Sequence, residues 1–266
     1  MTMMKTHQKA VVPLSEVSCK ATLTPQWLLE TKEDVAKAPK LHHNNLQLLI
    51  CGEEGFKQIH DDIQAAEHSI DIICWGFDPA MELMRGTGAN QWPRGITWGE
   101  LLRNAAEGKL KSGKKIQVRL LPWWDQLIAK IGPDNLPGYS EPTSAEKADL
   151  DRRLVGWLGD YPAKALPVDD PRREFTRRWF GDAQHGRIEG LSMRTRGSLH
   201  AAAKAALKQT SGLSLAELAG MEWAATHHQK TILIDYEGRN PVAYIMGLNS
   251  VTEYWDTKEH IFNDPR

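Results

Sequence analysis

The chain has 266 residues, 41% of them hydrophobic and 25% charged, with a formal net charge of −1 at pH 7. This composition is typical of an ordinary soluble globular protein of one large domain or two small ones. The near-zero charge excludes a global electrostatic attraction to nucleic acid or anionic membrane, so such attraction would need a local patch. The sequence has no run of about 18 apolar residues and no apolar signal core, which predicts a cytoplasmic protein in the producing cell.

The N-terminal residues 1–40 are polar and mixed in charge, and we interpret them as an extended arm with a short helix near 27–36. The apolar run 46–51 predicts a strand. Apolar residues then recur at helical spacing over 53–69, and alternation over 69–77 predicts a second strand.

The pattern continues with a helix predicted over 98–107 and a strand over 115–121. Strands that alternate with helices predict an α/β fold, a mixed β-sheet flanked by helices. Residues 122–222 interrupt this order and favour a helical insertion or lid, with helices predicted at 143–157, 198–209 and 213–223.

The sheet pattern returns with strands predicted over 230–235 and 242–248. The domain prediction is therefore an arm, 1–40, followed by one α/β domain, 41–266, that contains the insertion.

Three cysteines, Cys19, Cys51 and Cys74, share no close spacing. An odd count without a regular framework predicts reduced thiols and no structural zinc. Cys51 and Cys74 lie in apolar runs, which favours buried side chains that act as small hydrophobes.

The stretch THHQKTILID, residues 226–235, combines strand-forming residues with chemically active ones. In a strand, His228 and Lys230 point to the same face, side by side. Asp235 lies an odd number of residues further on, so its orientation favours an anchor at the strand end. A neutral imidazole can attack phosphorus while a lysine balances charge on the non-bridging oxygens, and this division of labour needs no metal.

Two further residues support a phosphate site. Gly247, near the end of the next predicted strand, permits a close approach to the backbone. Asn249 offers an amide that can donate to a phosphoryl oxygen.

In these residues the sequence resembles the phospholipase D superfamily, whose signature is H-x-K-x4-D followed by a glycine-rich G-x-N segment. The matching residues are His228, Lys230, Asp235, Gly247 and Asn249. Met246 differs from the second glycine that is frequent in the family. The run from Tyr254 to His260 is similar to a segment that follows the first motif in true phospholipases D. The whole span 226–257 is most similar to bacterial phospholipase D effectors delivered by type VI secretion. The resemblance covers about 46–122 and 223–266.

The resemblance implies hydrolysis of glycerophospholipid headgroups through a phosphohistidine intermediate. His228 would be the nucleophile, Lys230 and Asn249 would hold the phosphate beside Gly247, and Asp235 would be the motif aspartate. No cofactor is implied. The expected partners are a phospholipid at a membrane surface, a secretion-apparatus carrier and an immunity protein, with no nucleic acid. Delivery into target cells would then use a dedicated secretion machine.

The family site combines two such motifs, but this sequence contains one. We therefore expect the N-terminal half of a larger enzyme, completed by a C-terminal half or by a second copy of the chain. The alternatives are a superfamily nuclease or phosphatidyltransferase that acts as a homodimer, and an inert half that binds a partner. Near-neutral charge disfavours the nuclease, and the absence of an apolar spanning run disfavours the transferase. Glu253, Asp256 and Asp264 are candidates to orient His228.

Three other features keep two interpretations each. His227 is either a phosphate contact or a structural residue. Because neighbouring residues of a strand point to opposite faces, His227 should face away from His228, which favours the structural interpretation. The arginine-rich run 172–180 is a lipid-phosphate surface or a solvated helix face. Trp123 and Trp124 line a lipid cleft or fill the core.

Overall fold

The computed structural model describes residues 10–13, 20–23, 45–86, 91–124, 135–139, 170–197, 214–217, 227–262 and 264. The chain divides into two compact units, Met1–Leu48 and Leu49–Arg266. In the first unit, strands β1 (Ala10–Pro13) and β2 (Lys20–Leu23) pair antiparallel. This pair was not predicted for the arm, and the helix expected near 27–36 lies outside the described residues.

The second unit contains the α/β layer. Its elements in chain order are α1 (Cys51–Gln64), β3 (Ser69–Cys74), α2 (Trp98–Ala106), β4 (Gln117–Pro122), α3 (Pro171–Gln184), β5 (Leu191–Met193), β6 (Thr231–Ile234), β7 (Val242–Ile245) and a 3-10 turn (Thr252–Tyr254). The five strands follow the spatial order β5-β4-β3-β6-β7. β3, β4 and β5 run parallel, whereas β6 is antiparallel to β3 and to β7. The predicted class, α/β with a mixed sheet flanked by helices, is confirmed.

Alternation along the strands explains why one face of the sheet is buried. Ile70 and Ile72 of β3 and Ile232 and Ile234 of β6 are at most 2% exposed. They share a face because side chains two residues apart point the same way. The amphipathic helix α1 contributes Phe56 to the same core. Each such side chain contributes roughly 1.5–3 kcal/mol by leaving water, and this core fixes the strand ends where the motif lies.

The predicted strand at 46–51 is wrong. Residues 45–50 form no strand, and Leu46 and Leu48 are 91% and 80% exposed. No strand among the described residues pairs with this apolar run, so its alternation does not produce a strand. The helix begins at Cys51, where the Glu54 carboxylate accepts a hydrogen bond from the Ile50 amide at 3.0 Å. A carboxylate at this position stabilises the helix N-terminus.

Part of the predicted insertion belongs to the α/β layer. Helix α3 buries Trp179 and Phe180 in the core, and β5 extends the sheet beside β4. β5 has only three residues, too few for a periodic signal. Residues 215–217 are helical within the predicted helix 213–223, whereas the helices predicted at 143–157 and 198–209 lie outside the described residues.

Candidate functional site

His228 and Lys230 lie directly before β6, at the edge of the sheet from which the strand starts. The Lys230 ammonium donates a hydrogen bond to Nε2 of His228 at 2.9 Å. The Lys230 carbonyl accepts from the Met246 amide at 3.0 Å, which continues the pairing of β6 with β7. The strand is shorter than predicted, but the two side chains still meet as its alternation predicts. In this arrangement Nε2 is an acceptor, so the imidazole proton lies on Nδ1.

Lys230 is a desolvated cation. Its side chain is on the buried face of the sheet, and the residue is 5% exposed. Burial lowers the pKa of Lys230, and the thiol of Cys74 on β3 opposes this shift. Burial raises the pKa of Cys74 to about 12. A charge in so dry a place interacts strongly with an anion that reaches it, because solvent screens it little.

An aromatic wall borders His228. The Trp75 ring meets the imidazole edge-on, with ring centroids 5.6 Å apart. Trp75 also stacks on Trp123 at 6.1 Å. The amide of Asn135 donates to the carbonyls of both tryptophans, at 2.6 and 2.7 Å. The stacked pair is thereby fixed in place beside His228. No local sequence pattern identifies Asn135 as a residue of the site.

Trp123 fills the core and Trp124 lies partly buried beside it. Trp123 is 2% exposed, which agrees with the core-packing alternative. The ring of Trp124 meets Tyr139 edge-on at 5.2 Å. Trp123 therefore supports Trp75 by stacking, and Trp75 presents an aromatic ring to His228.

Asn249 is fully buried, and neither atom of its amide has a hydrogen-bond partner among the described residues. The same holds for the hydroxyl of Ser250. An unpaired buried polar group costs about 1–3 kcal/mol, so a cluster of them indicates a place for a polar ligand. Sequence reasoning identified Asn249 and missed Ser250, for which only its adjacency to Asn249 was a signal.

Gly76 connects Asn249 to the wall. A Cβ on Gly76 would lie 3.7 Å from the Cβ of Asn249 and 3.3 Å from the Asn135 carbonyl oxygen. Gly76 directly follows Trp75, so one short segment touches His228 on one side and Asn249 on the other. The chain departs from β3 here, because Phe77 pairs with Ser250 instead of continuing the strand as predicted.

Gly247 is exposed, and a Cβ there would meet no atom within 4 Å. Packing within the chain therefore does not require a glycine at this position. The open space agrees with the predicted room for an approaching group, without showing what approaches.

Asp235 lies at the other end of β6, five residues beyond Lys230 and about 16 Å along an extended chain. Its carboxylate accepts hydrogen bonds from the amides of Glu67, His68 and Ser69 at 2.7–2.9 Å. Burial alone would raise the pKa of Asp235, but these three bonds outweigh it and lower the pKa. The structure therefore does not bring Asp235 to His228, and its contacts are those of the strand-end anchor.

Asp256 and the arginines of the run 172–180 have partners away from His228. Asp256 accepts from Nδ1 of His260 at 2.5 Å. The arginine-rich helix pairs within itself, with Arg172 on Asp170 and Arg177 on Glu174.

His227 stays a structural candidate. Burial lowers its pKa, and the Arg196 charge adds to the shift. Its Nδ1 has no partner among the described residues.

No protein-family model matches this chain, and no curated protein matches it. Among the helices that the structure describes, none is long and apolar enough to cross a bilayer.

Proposed function

We propose that the chain supplies one half-site of a phospholipase D-type phosphodiesterase that acts on glycerophospholipid headgroups. The observation that carries the proposal is the 2.9 Å contact between the desolvated Lys230 ammonium and Nε2 of His228. The unpartnered amide of buried Asn249, across Gly76, supports it. A nucleophile, a cation and amide donors are the groups that phosphoryl transfer requires.

The reaction follows from these positions. The Lys230 ammonium moves from Nε2 to a non-bridging phosphate oxygen when the diester enters, which frees the imidazole lone pair. Nε2 forms a bond to phosphorus, and the P–O bond to the headgroup breaks. Lys230 and Asn249 then stabilise the charge that develops on the phosphoryl oxygens. Trp75 holds the ring by its edge-on contact.

The departing headgroup oxygen needs a proton, and water must later be activated to release His228. We assign both steps to the histidine of a second H-x-K motif, which these 266 residues do not contain. A further polypeptide segment or a second copy of the chain would supply it. Membrane phospholipid is the proposed substrate surface, and an antibacterial effector with a carrier and an immunity protein is the proposed setting.

The test is headgroup release from phosphatidylethanolamine and phosphatidylcholine vesicles. The chain is compared with His228→Ala, and with His185→Ala as a matched loss of an exposed imidazole. Release that only His228→Ala abolishes supports a site completed by two copies. Release by a folded chain that survives in His228→Ala contradicts the proposal. Without any release, the half-site is tested with an activated diester, as set out at the end of the Discussion.

A further inference from the structure

A second group of reactive side chains lies where α1 meets the segment after the 3-10 turn. The Cys51 sulfur is 3.9 Å from Nε2 of His260. Nδ1 of the same ring is 2.5 Å from Oδ2 of Asp256. The thiol, the imidazole and the carboxylate thus form a series through both ring nitrogens. Nothing in the phospholipase D-type mechanism uses them.

The backbone holds the two segments in contact. The Glu53 amide donates to the Asp256 carbonyl at 2.8 Å. A Cβ on Gly52 would lie 2.4 Å from the Tyr254 carbonyl oxygen, so only glycine permits this approach. The contact therefore fixes the separation of the residues that carry the thiol and the carboxylate.

Backbone strain is concentrated at the same place. Cys51 has φ 68° and His260 has φ 48°, a region that L-residues with a Cβ rarely adopt. Among the described residues, Asp235 is the only other non-glycine residue with positive φ. Cys51 is partly exposed, so its thiol is neither the buried hydrophobe that the sequence favoured nor closed to reagents.

The arrangement is that of a relay and not of a metal cluster. Sulfur and carboxylate lie on opposite nitrogens of one ring, whereas metal ligands converge on one point. Within the described part of the chain, no group of three His, Cys, Asp or Glu side chains has metal-site geometry. Glu54 lies at the start of α1, and the charge of Asp264 acts on the pKa of Asp256.

The hydrogen bond from His260 lowers the pKa of Asp256, with Asp264 opposing, so this carboxylate stays charged beside the ring. A charged carboxylate at Nδ1 orients the imidazole. The result is a base held toward the Cys51 sulfur.

We propose that Cys51 is a nucleophilic thiol, activated by His260 and Asp256, that undergoes thiol–disulfide exchange with small disulfides. Acyl transfer fits less well, because the Glu53 amide that could bind an oxyanion already donates to Asp256. Disulfide exchange develops no oxyanion and needs only a thiolate and a proton acceptor.

The exchange step balances without an added oxidant. The Cys51 proton passes to His260, and the thiolate attacks one sulfur of the disulfide R–S–S–R. The R–S–S–R bond breaks as the Cys51–S–S–R bond forms. The leaving thiolate takes the proton from His260 and departs as R–SH. The disulfide is the co-reactant, and one thiol is released for each Cys51 modified.

The test is the rate at which Cys51 reacts with 5,5′-dithiobis(2-nitrobenzoate), with the modified peptide identified by mass spectrometry. At pH 6.5 the folded chain is expected to react at Cys51 about tenfold faster than the urea-unfolded chain. His260→Gln should lower the rate of the Cys51 reaction about tenfold at pH 6.5. At pH 9.5, where thiols ionise unaided, it should change the rate little. Asp256→Asn should give a smaller loss in the same direction.

His68→Gln removes another exposed imidazole and is expected to change neither rate. Circular dichroism checks that each variant is folded. If Cys51 reacts no faster in the folded chain than in the unfolded chain, the proposal is overturned without any variant. It is also overturned if folded His260→Gln keeps the wild-type ratio of rates at the two pH values.

Discussion

The polar groups at the two ends of strand β6 differ in their hydrogen bonding. At the carboxyl end, Asp235 accepts three backbone amides, and its pKa is lowered despite burial. At the amino end, Lys230 is a buried cation with a lowered pKa, and Asn249 has no partner among the described residues. The carboxyl end of the strand is therefore an anchor with its hydrogen bonds made, whereas the amino end lies beside a buried amide without a hydrogen bond. The difference separates the anchoring contacts of Asp235 from the chemistry that we propose for His228.

The largest expected effect is at the cation. Lys230→Met keeps the length of the side chain and removes its charge. It should lower the rate of His228 phosphorylation by an activated phosphodiester about 10²–10³-fold, because transition-state charge is no longer balanced. The measurement is single-turnover release of p-nitrophenolate. If Lys230→Met reacts within about threefold of the wild-type rate, the amino end of β6 does not have the catalytic role proposed for it.

The next effect should appear at the anchor. Asp235→Ala leaves three backbone N–H groups without their acceptor and places alanine at φ 50°. Unfolding by urea should show a loss of about 3 kcal/mol, since bonds to charged groups contribute roughly 1.5–3 kcal/mol.

Asp235→Asn is the matched control for the anchor, because it keeps one acceptor oxygen and tolerates positive φ. It should lose less stability than Asp235→Ala. The lowered pKa means that the carboxylate stabilises the fold above about pH 4 and that this contribution is lost as pH falls. Asp235→Asn should therefore flatten the stability profile on the acid side. A profile unchanged by Asp235→Asn would contradict the anchor.

Asp78 is a second buried polar residue near the amino end of β6. Its backbone amide donates to the Ser250 carbonyl at 2.8 Å. Burial raises the pKa of Asp78 to about 7. A raised acid pKa means that folding favours the protonated form, so stability falls as pH rises from about 4 to about 7. Asp78→Asn keeps the acceptor for the Ala80 amide. It should raise the free energy of unfolding at pH 8 by about 1–2 kcal/mol and leave it little changed at pH 4. Equal effects at both pH values would contradict this account.

The smallest effect concerns Asn249. Asn249→Leu replaces an unpaired buried amide with an apolar group of similar size, and it should stabilise the chain by about 1 kcal/mol or leave it unchanged. We expect millimolar inorganic phosphate to raise the melting temperature of the wild type, and Asn249→Leu should lose this increase. A destabilised Asn249→Leu that still responds to phosphate would show that the amide is structural.

The sequence predicted these features unequally, and the reason is physical. The alternation of β3, β4 and β6 reflects burial of one face, so these strands and the mixed sheet were predictable. The strand at 46–51 was not excluded by its sequence, because pairing depends on a neighbour that local periodicity does not report. The three-residue strand β5 was missed because it is too short for a periodic signal.

Some residues of the candidate site were predictable from the sequence and others were not. The spacing of His228 and Lys230 predicted their contact because both sit next to the start of one strand. Trp75, Asn135 and Ser250 reach the site through the departure of the chain after β3 and through a loop, which no local pattern encodes. Cys51 and His260 are 209 positions apart in the sequence, so their contact could not be predicted from local patterns either.

The most direct measurement is the mass of the chain after mixing with p-nitrophenyl phosphocholine. A good leaving group needs no proton from a second histidine, so the half-site alone is sufficient for the first step. The account predicts a burst of about one p-nitrophenolate per chain and a phosphocholine adduct on His228, absent in His228→Ala. A folded wild-type chain that gives no adduct, or an adduct at another residue that persists in His228→Ala, would contradict it.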